Sequence, residues 1–250
     1  MLALREHANR SILNTILLAS LLVVVATLLV GYLCRHTAVQ IVKRPVMVLF
    51  HYFYYRESTR NAHWMGVPLL KLPLDLWRYQ DVIWETKPDL IVETGTNRGG
   101  SALYMAQLCD IIGRGRVVTV DITHPPEGLP SHARITYILG SSTDVQIVAE
   151  ITAHVRPGEK VMVILDSDHA RDHVARELEL YAPLVSRGCY LVVEDTNVHG
   201  HPVYRSHGPG PMEAVDIYRP ETKGFQLNSN LEKRYQITYY PRGWWQRIQT

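Results

Sequence analysis

Three acidic residues and a histidine stand where short apolar runs end in the C-terminal half of the chain. Asp166 follows Val161 to Leu165, Glu194 and Asp195 follow Cys189 to Val193, and His169 comes three residues after Asp166. If those runs are parallel strands, their carboxyl ends border the crevice in which open α/β sheets bind ligands. Carboxylates that converge there without lysine or arginine partners repel one another, and a hard divalent cation such as Mg²⁺ resolves the repulsion. Asp166, Glu194 and Asp195 are therefore candidate metal ligands. Asp168 has two readings, a fourth ligand or the N-cap of the next helix. An imidazole titrates near neutrality, so His169 is a candidate catalytic base for a substrate hydroxyl, a contribution of roughly 10²- to 10⁴-fold. His199, His201 and His207 sit in a Gly/Pro-rich stretch and read more simply as solvated loop residues.

Upstream lies Val92-Glu-Thr-Gly-Thr-Asn-Arg-Gly-Gly-Ser, followed by a helix-periodic segment from Ala102 to Ile112 and then Arg116 to Asp121. A strand, a glycine turn, a helix and a second strand ending in an acid form the layout of a nucleotide-cofactor half-site. Asp121 is placed to accept hydrogen bonds from ribose hydroxyls. The Gly95-x-x-x-Gly99 spacing is not the dinucleotide G-x-G-x-x-G, and Glu93 just ahead of it would repel a pyrophosphate. A carboxylate there suits a cationic sulfonium and amino-acid moiety. The turn thus reads as an S-adenosylmethionine site lined by Gly95, Thr96, Gly99 and Ser101.

The elements that must hold these residues alternate along the chain. We expect a helix from Leu74 to Thr86, stopped by Lys87-Pro88. Strands are expected at Leu90–Glu93, Arg116–Asp121, Ile135–Leu139, Val161–Leu165 and Cys189–Val193. Helices are expected at Ser101–Ile112, Thr143–Val155, His169–Leu184 and Met212–Tyr218. The segment Arg234–Tyr240 reads as a late antiparallel strand. The strands are β-branched and apolar on both faces, as in a parallel sheet covered by helices. The fold class is α/β, doubly wound and Rossmann-like with helices on both faces. The balance of 26 basic against 24 acidic side chains gives no basic surface for nucleic acid. Cys34, Cys109 and Cys189 are widely spaced and odd in number, so neither a disulfide framework nor a thiolate zinc site is indicated, and a reducing compartment fits.

Ile12 to Leu33 carries no charged residue and, as a helix, spans roughly 33 Å, enough to cross a bilayer. A cleaved signal peptide is the rival reading, but the run exceeds the usual apolar core of about 7 to 15 residues. Arg35, Lys43 and Arg44 follow the span against Arg5 and Arg10 before it, which places the catalytic domain in the cytoplasm. The expected organisation is a single-pass membrane anchor at 1–35, an aromatic-rich connector at 36–62 and the catalytic domain at 63–250. The connector aromatics Phe50, Tyr52, Phe53, Tyr54 and Tyr55 rest either at a membrane interface or against the domain.

Six ordered motifs resemble the cephalosporin hydroxylase/rhamnosyl O-methyltransferase family over about residues 60–245. They are Met65–Asp75, Val92–Ala102, Gly140-Ser-Ser-Thr-Asp144, Asp166-Ser-Asp-His169, Val193-Glu-Asp-Thr-Asn197 and Gly208–Val215. The resemblance implies a class I methyltransferase fold, S-adenosylmethionine as methyl donor and a carboxylate-bound Mg²⁺. It also implies that Glu93, Gly95 and Asp121 hold the cofactor, that Ser142 and Asp144 approach its adenine side, and that Asp166, Glu194 and Asp195 hold the metal. The chain is similar as well to catechol-type methyltransferases, in which a lysine base follows the metal acid by three positions; His169 stands there instead. The anchor points to a lipid-linked or envelope-sugar acceptor, alongside small-molecule acceptors, and a homo-oligomer stays open. Two alternatives remain at this point: an Fe(II)-dependent hydroxylase, and a membrane-tethered scaffold that binds the cofactor without catalysis.

Overall fold

The computed structural model describes residues 2–249, with side chains for 18–35, 45–55 and 61–249. In chain order its elements are α1 (Leu2–Asn61), β1 (His63–Trp64), β2 (Val67–Pro68), α2 (Pro73–Thr86), β3 (Leu90–Thr94), α3 (Gly100–Ile111), β4 (Arg116–Asp121) and β5 (Ile135–Leu139). There follow α4 (Val145–Ala153), β6 (Val161–Leu165), α5 (Arg171–Tyr181), β7 (Tyr190–Val193), α6 (Pro211–Tyr218), β8 (Phe225–Leu227), α7 (Ser229–Arg234) and β9 (Trp244–Arg247).

Seven strands form one sheet in the order β5-β4-β3-β6-β7-β9-β8. The first five are mutually parallel, with Val92 opposite Val118 on one side and Val163 on the other. β9 runs antiparallel to both β7 and β8. Every residue of β3, β6 and β7 is buried, because successive side chains enter two different cores. Ile91, Met162, Ile164 and Val192 pack with Val82 and Ile83 of α2 and with Ala102, Met105 and Cys109 of α3. Leu90, Val92, Val163 and Leu191 face the other way, onto Ile151 of α4, Val174 and Leu178 of α5 and Val215 of α6. A mixed sheet with helices on both faces is consistent with the class I methyltransferase fold.

Local chemistry sets the helix ends. α2 opens with Pro73 in its first turn and stops at Lys87, whose left-handed backbone donates its N–H to the Ile83 carbonyl before Pro88. Two helices start later than their apolar periodicity suggests. Asp144 caps α4, accepting from the amides of Gln146 and Ile147. α5 begins at Arg171 with Ala170 as its N-cap, so His169 precedes the helix. Asp168 is not that N-cap; its Oδ1 accepts from the Ala170 amide at 2.6 Å within the loop.

The expected strand at Arg234–Tyr240 does not form. α7 ends at Arg234, and the following turn is pinned to the buried carboxylate of Asp75, which accepts from the Thr238 hydroxyl at 2.6 Å and the Tyr239 amide at 2.8 Å. Tyr239 and Tyr240 are buried as core residues of this turn, and the antiparallel strand lies further on, at Trp244–Arg247.

The chain divides into two compact units, 1–49 and 50–250. In the first, Leu18–Arg35 is long and apolar enough to cross a membrane, a test that a signal sequence also passes; the side chains of Ile12 to Leu17, the start of the expected span, lie outside the described residues. The connector is helical through Asn61. Its aromatic residues divide: Phe50, Tyr54 and Tyr55 pack against the core of the second unit, whereas Tyr52 and Phe53 are exposed.

Candidate active site

The strand-turn-helix after β3 builds one wall. Gly95 (φ 88°) donates its N–H to the Val120 carbonyl. A Cβ at this position would lie 1.9 Å from the Asp166 carbonyl oxygen, so the glycine is required by the crossing of the β6 strand end as well as by any ligand. Gly99 (φ 76°) opens α3 and packs on Pro130. Asp121, at the tip of β4, accepts from the Asn97 amide at 2.8 Å and the Thr123 amide at 3.2 Å, which stitches the turn to the strand end.

Beneath the turn, Glu93 is fully buried. Thr119 Oγ1 donates to its Oε2 at 2.8 Å and lies 2.8 Å from Thr96 Oγ1, while Oε1 has no hydrogen-bond partner. Burial pushes Glu93 up to about 7, against the opposing charge of Lys71. Ser101 adjoins it in the first turn of α3. A buried carboxylate with one oxygen unsatisfied fits a cationic group delivered by a ligand, since an orphaned acceptor otherwise costs about 1–3 kcal/mol.

A cavity of about 750 Å³ opens over the carboxyl ends of the parallel strands. It brings together Gly95, Asp121, Ser142, Asp166, His169 and Asp195 among the expected site residues. Ser142 is hydrogen-bonded to His173 Nε2 at 3.1 Å. Thr96 and Ser101 border a small adjoining cleft that shares Gly95 and Asp166 with the cavity. Glu93, Gly99, Asp144 and Glu194 do not line the main cavity; Asp144 is occupied as the cap of α4.

The acids are not free of cations, as the sequence reading supposed. Lys71, from the loop between β2 and α2, places its Nζ 2.8 Å from Asp166 Oδ2 and 2.7 Å from each Glu194 oxygen. Lys71 is 3% exposed and Glu194 2%. Burial alone would lower the ammonium pKa, but the Asp166 and Glu194 carboxylates outweigh it and hold Lys71 above its ordinary value. Glu194 also accepts from the Tyr79 hydroxyl at 2.5 Å. Burial, then the charge of Asp166, pushes it up to about 8. Of the three expected metal ligands, Asp166 and Asp195 line the cavity, whereas Glu194 lies behind them, engaged by Lys71 and Tyr79. The sequence does carry a signal for this, a single charge inside the apolar run Val67–Leu72, because a buried lysine needs a carboxylate partner.

The ligand atoms that do converge belong to Asp166, His169 and Asp195, all within 4.8 Å of one another. His169 Nε2 lies 3.2 Å from Asp195 Oδ2. Although burial opposes it, the bond to Asp195 pushes the imidazole up to about 9. Burial likewise opposes ionisation of Asp195, but His169 and the Tyr55 hydroxyl hold it below the usual carboxylate range. Two carboxylate donors with a neighbouring base suit a hard divalent cation. The two-histidine, one-carboxylate arrangement of an Fe(II) oxygenase is not what this cluster offers.

Comparison with known proteins fits this geometry. The family model described as rhamnosyl O-methyltransferase/CmcI matches residues 56–248. A rhamnosyl O-methyltransferase of Mycobacterium bovis is 38% identical over 218 residues, covering 82% of this chain and 88% of its own length. The Mycobacterium leprae protein of the same name is 39% identical over 202 residues, covering 78% and 87%. Among solved structures, CmcI in its apo form superposes with a TM-score of 0.58 at 22% identity, covering 76% of this chain and 77% of that one. CmcI with Mg and S-adenosylmethionine gives 0.56 at 22%, covering 75% and 77%. These structures establish the fold, and the mycobacterial relatives and the family match establish the rest: the chain belongs to the rhamnosyl O-methyltransferase/CmcI family and is an S-adenosylmethionine-dependent methyltransferase.

Proposed function

We propose that this enzyme transfers the methyl group of S-adenosylmethionine to a hydroxyl of a saccharide acceptor, most simply a deoxyhexose carried on a lipid. The observation that carries the reading is the single cavity joining Asp121 to the Asp166, His169 and Asp195 cluster. At about 750 Å³ it lies in the upper range of small-molecule sites and can take a nucleoside and a sugar ring together. The relatives named as rhamnosyl O-methyltransferases support the sugar. Leu18–Arg35 supports a lipid-linked form, as a membrane span whose flanking Arg35, Lys43 and Arg44 leave the catalytic unit in the cytoplasm. The organisation we favour is this anchor followed by a catalytic unit beginning near Phe50, since Phe50, Tyr54 and Tyr55 pack with that unit's core.

In this reading Asp121 accepts from the ribose hydroxyls, and Gly95, Thr96, Gly99 and Ser101 shape the turn. Glu93 supplies negative charge beneath the amino-acid moiety, Ser142 borders the adenine, and Asp144 acts indirectly by fixing the start of α4. Asp166 and Asp195 hold a divalent cation, with Glu194 behind them contributing through Lys71. Bound together, the sulfonium supplies an electrophilic methyl group and a cation such as Mg²⁺ lowers the pKa of the acceptor hydroxyl. The chain's own task is positioning and proton removal. His169 takes the hydroxyl proton at Nδ1, the ring nitrogen that does not face Asp195, while Asp195 holds Nε2, orients the ring and stabilises the imidazolium that results.

The test is methyl transfer by the full-length protein in detergent, using labelled S-adenosylmethionine and a rhamnosyl glycolipid. Label should enter the sugar, disappear with EDTA and return with excess Mg²⁺. Transfer that is indifferent to EDTA would remove the cation from the mechanism. Transfer only to acceptors lacking a sugar would overturn the acceptor class.

A further inference from the structure

The last turns of α1 reach into the catalytic cavity. His51 and Tyr55 are four residues apart, hence on one face of the helix, and both are buried. The Tyr55 hydroxyl donates to Asp195 Oδ2 at 2.9 Å. His51 Nδ1 pairs with Asn197 Nδ2 at 3.1 Å. Their partners lie two residues apart in the loop after β7, so one helix face holds one loop at two points. Asp195 needs holding: its φ of 51° is left-handed, a conformation that is strained for a non-glycine residue and persists where its surroundings impose it.

The same carboxylate oxygen, Asp195 Oδ2, faces both Tyr55 and His169. Two donors on one oxygen fix the rotation of the carboxylate and, through it, the imidazole ring. The Tyr55 ring is wedged edge-on against Tyr204 (centroids 5.7 Å apart) and Tyr239 (4.9 Å), and both Tyr55 and Tyr204 line the cavity. The family match begins at residue 56, one position beyond Tyr55, so this contribution lies outside the matched region.

We infer that Tyr55 is a positioning residue for the Asp195 and His169 pair, and that the C-terminal turns of α1 are a wall of the catalytic cavity rather than a linker to it. The inference rests on the reading of that cavity as the methyl-transfer site. It also separates two functions of one side chain: the hydroxyl orients Asp195, and the ring closes the cavity.

Tyr55→Phe and Tyr55→Ala in the full-length protein test it. Tyr55→Phe keeps the ring and removes the hydroxyl, so kcat should fall by roughly tenfold to a hundredfold. The acceptor KM, the S-adenosylmethionine Kd and the Tm should stay near wild-type values. Tyr55→Ala should add a rise in acceptor KM. The inference is overturned if Tyr55→Phe turns over like wild type, or if its loss of turnover is matched by a loss of Tm or of cofactor affinity, which would make Tyr55 merely structural. A wild-type protein that binds S-adenosylmethionine but transfers no methyl group would instead refute the underlying reading of the cavity.

Discussion

Lys71→Met removes the buried cation that sits between Asp166 and Glu194 while nearly conserving side-chain volume, so the packing loss is small. What is lost is three contacts of 2.7 to 2.8 Å to two carboxylates. Removing one partner of a buried ion pair leaves uncompensated charge, typically at a cost of about 3–5 kcal/mol. Asp166 retains 22% side-chain exposure, which favours the lower end, about 3 kcal/mol. For a unit of this size that corresponds to a fall in Tm of roughly 6–12 °C. The loss should depend on pH. Burial already pushes Glu194 up to about 8, above its unfolded value. Ionising it therefore costs stability as pH rises through that value, and without Lys71 the cost grows. A divalent cation bound only by the native state adds about 2.7 kcal/mol at a hundredfold excess over its Kd, and it meets less repulsion once the ammonium is gone. Thermal unfolding of full-length wild type and variant, near neutral and at alkaline pH, with EDTA or excess Mg²⁺, reads all three effects. A variant as stable as wild type in EDTA would refute the ion-pair argument. Equal stabilisation of both proteins by Mg²⁺ would refute the competition between lysine and metal.

Four further outcomes are expected. Asp121→Ala should weaken S-adenosylmethionine binding by roughly 10- to 150-fold, since hydrogen bonds to a charged group are worth about 1.5–3 kcal/mol; calorimetric affinity equal to wild type would exclude Asp121 from the ribose. Glu93 sits at about 7 and is neutral below that pH, so affinity for the cationic donor should fall by about tenfold per pH unit there, and a slope that persists in Glu93→Gln would assign it to another group. The bond to Asp195 pushes His169 up to about 9 in the absence of metal, and a bound divalent cation shifts loss of that proton to lower pH; turnover should climb with pH through that loss, and a profile unchanged in His169→Ala would exclude it as base. Full-length protein should resist carbonate extraction and keep its N-terminus, whereas a mature N-terminus near Arg35 would identify a signal peptide.

The central sheet was legible because parallel strands buried on both faces read as unbroken apolar runs, and β3, β4, β5 and β6 begin and end within a residue of those runs. The C-terminal edge was not. β8 has three residues, too few to show a period, and the alternation in Arg234–Tyr240 comes from tyrosines that enter the core from a turn. What decides that turn is Asp75, far away in sequence, whose buried carboxylate takes the Thr238 hydroxyl and the Tyr239 amide. That Asp166, His169 and Asp195 lie close together was legible for a related reason: strand tips of a doubly wound sheet must meet at one crevice. Asp144 was assigned by resemblance, although its place ahead of Val-Gln-Ile-Val is the ordinary signature of a helix cap.

Repulsion among strand-tip acids requires a cation but does not specify which. From sequence alone a metal was the simplest answer, since Lys71 lies 95 positions from Asp166 and no local rule connects them. Between about pH 8, where Glu194 ionises, and about pH 9, where His169 loses its proton, three ionised carboxylates face one ammonium and one imidazolium, leaving the cluster a single net negative charge. A divalent cation would turn that charge positive, and the group best able to yield is His169, whose proton is retained mainly through its bond to Asp195. Loss of that proton is also what makes the imidazole a base. The lysine thus does more than neutralise Glu194. In the proposed mechanism, by setting the charge of the cluster just short of balance, it would leave room for one divalent cation and would couple occupancy of the site to the protonation of His169.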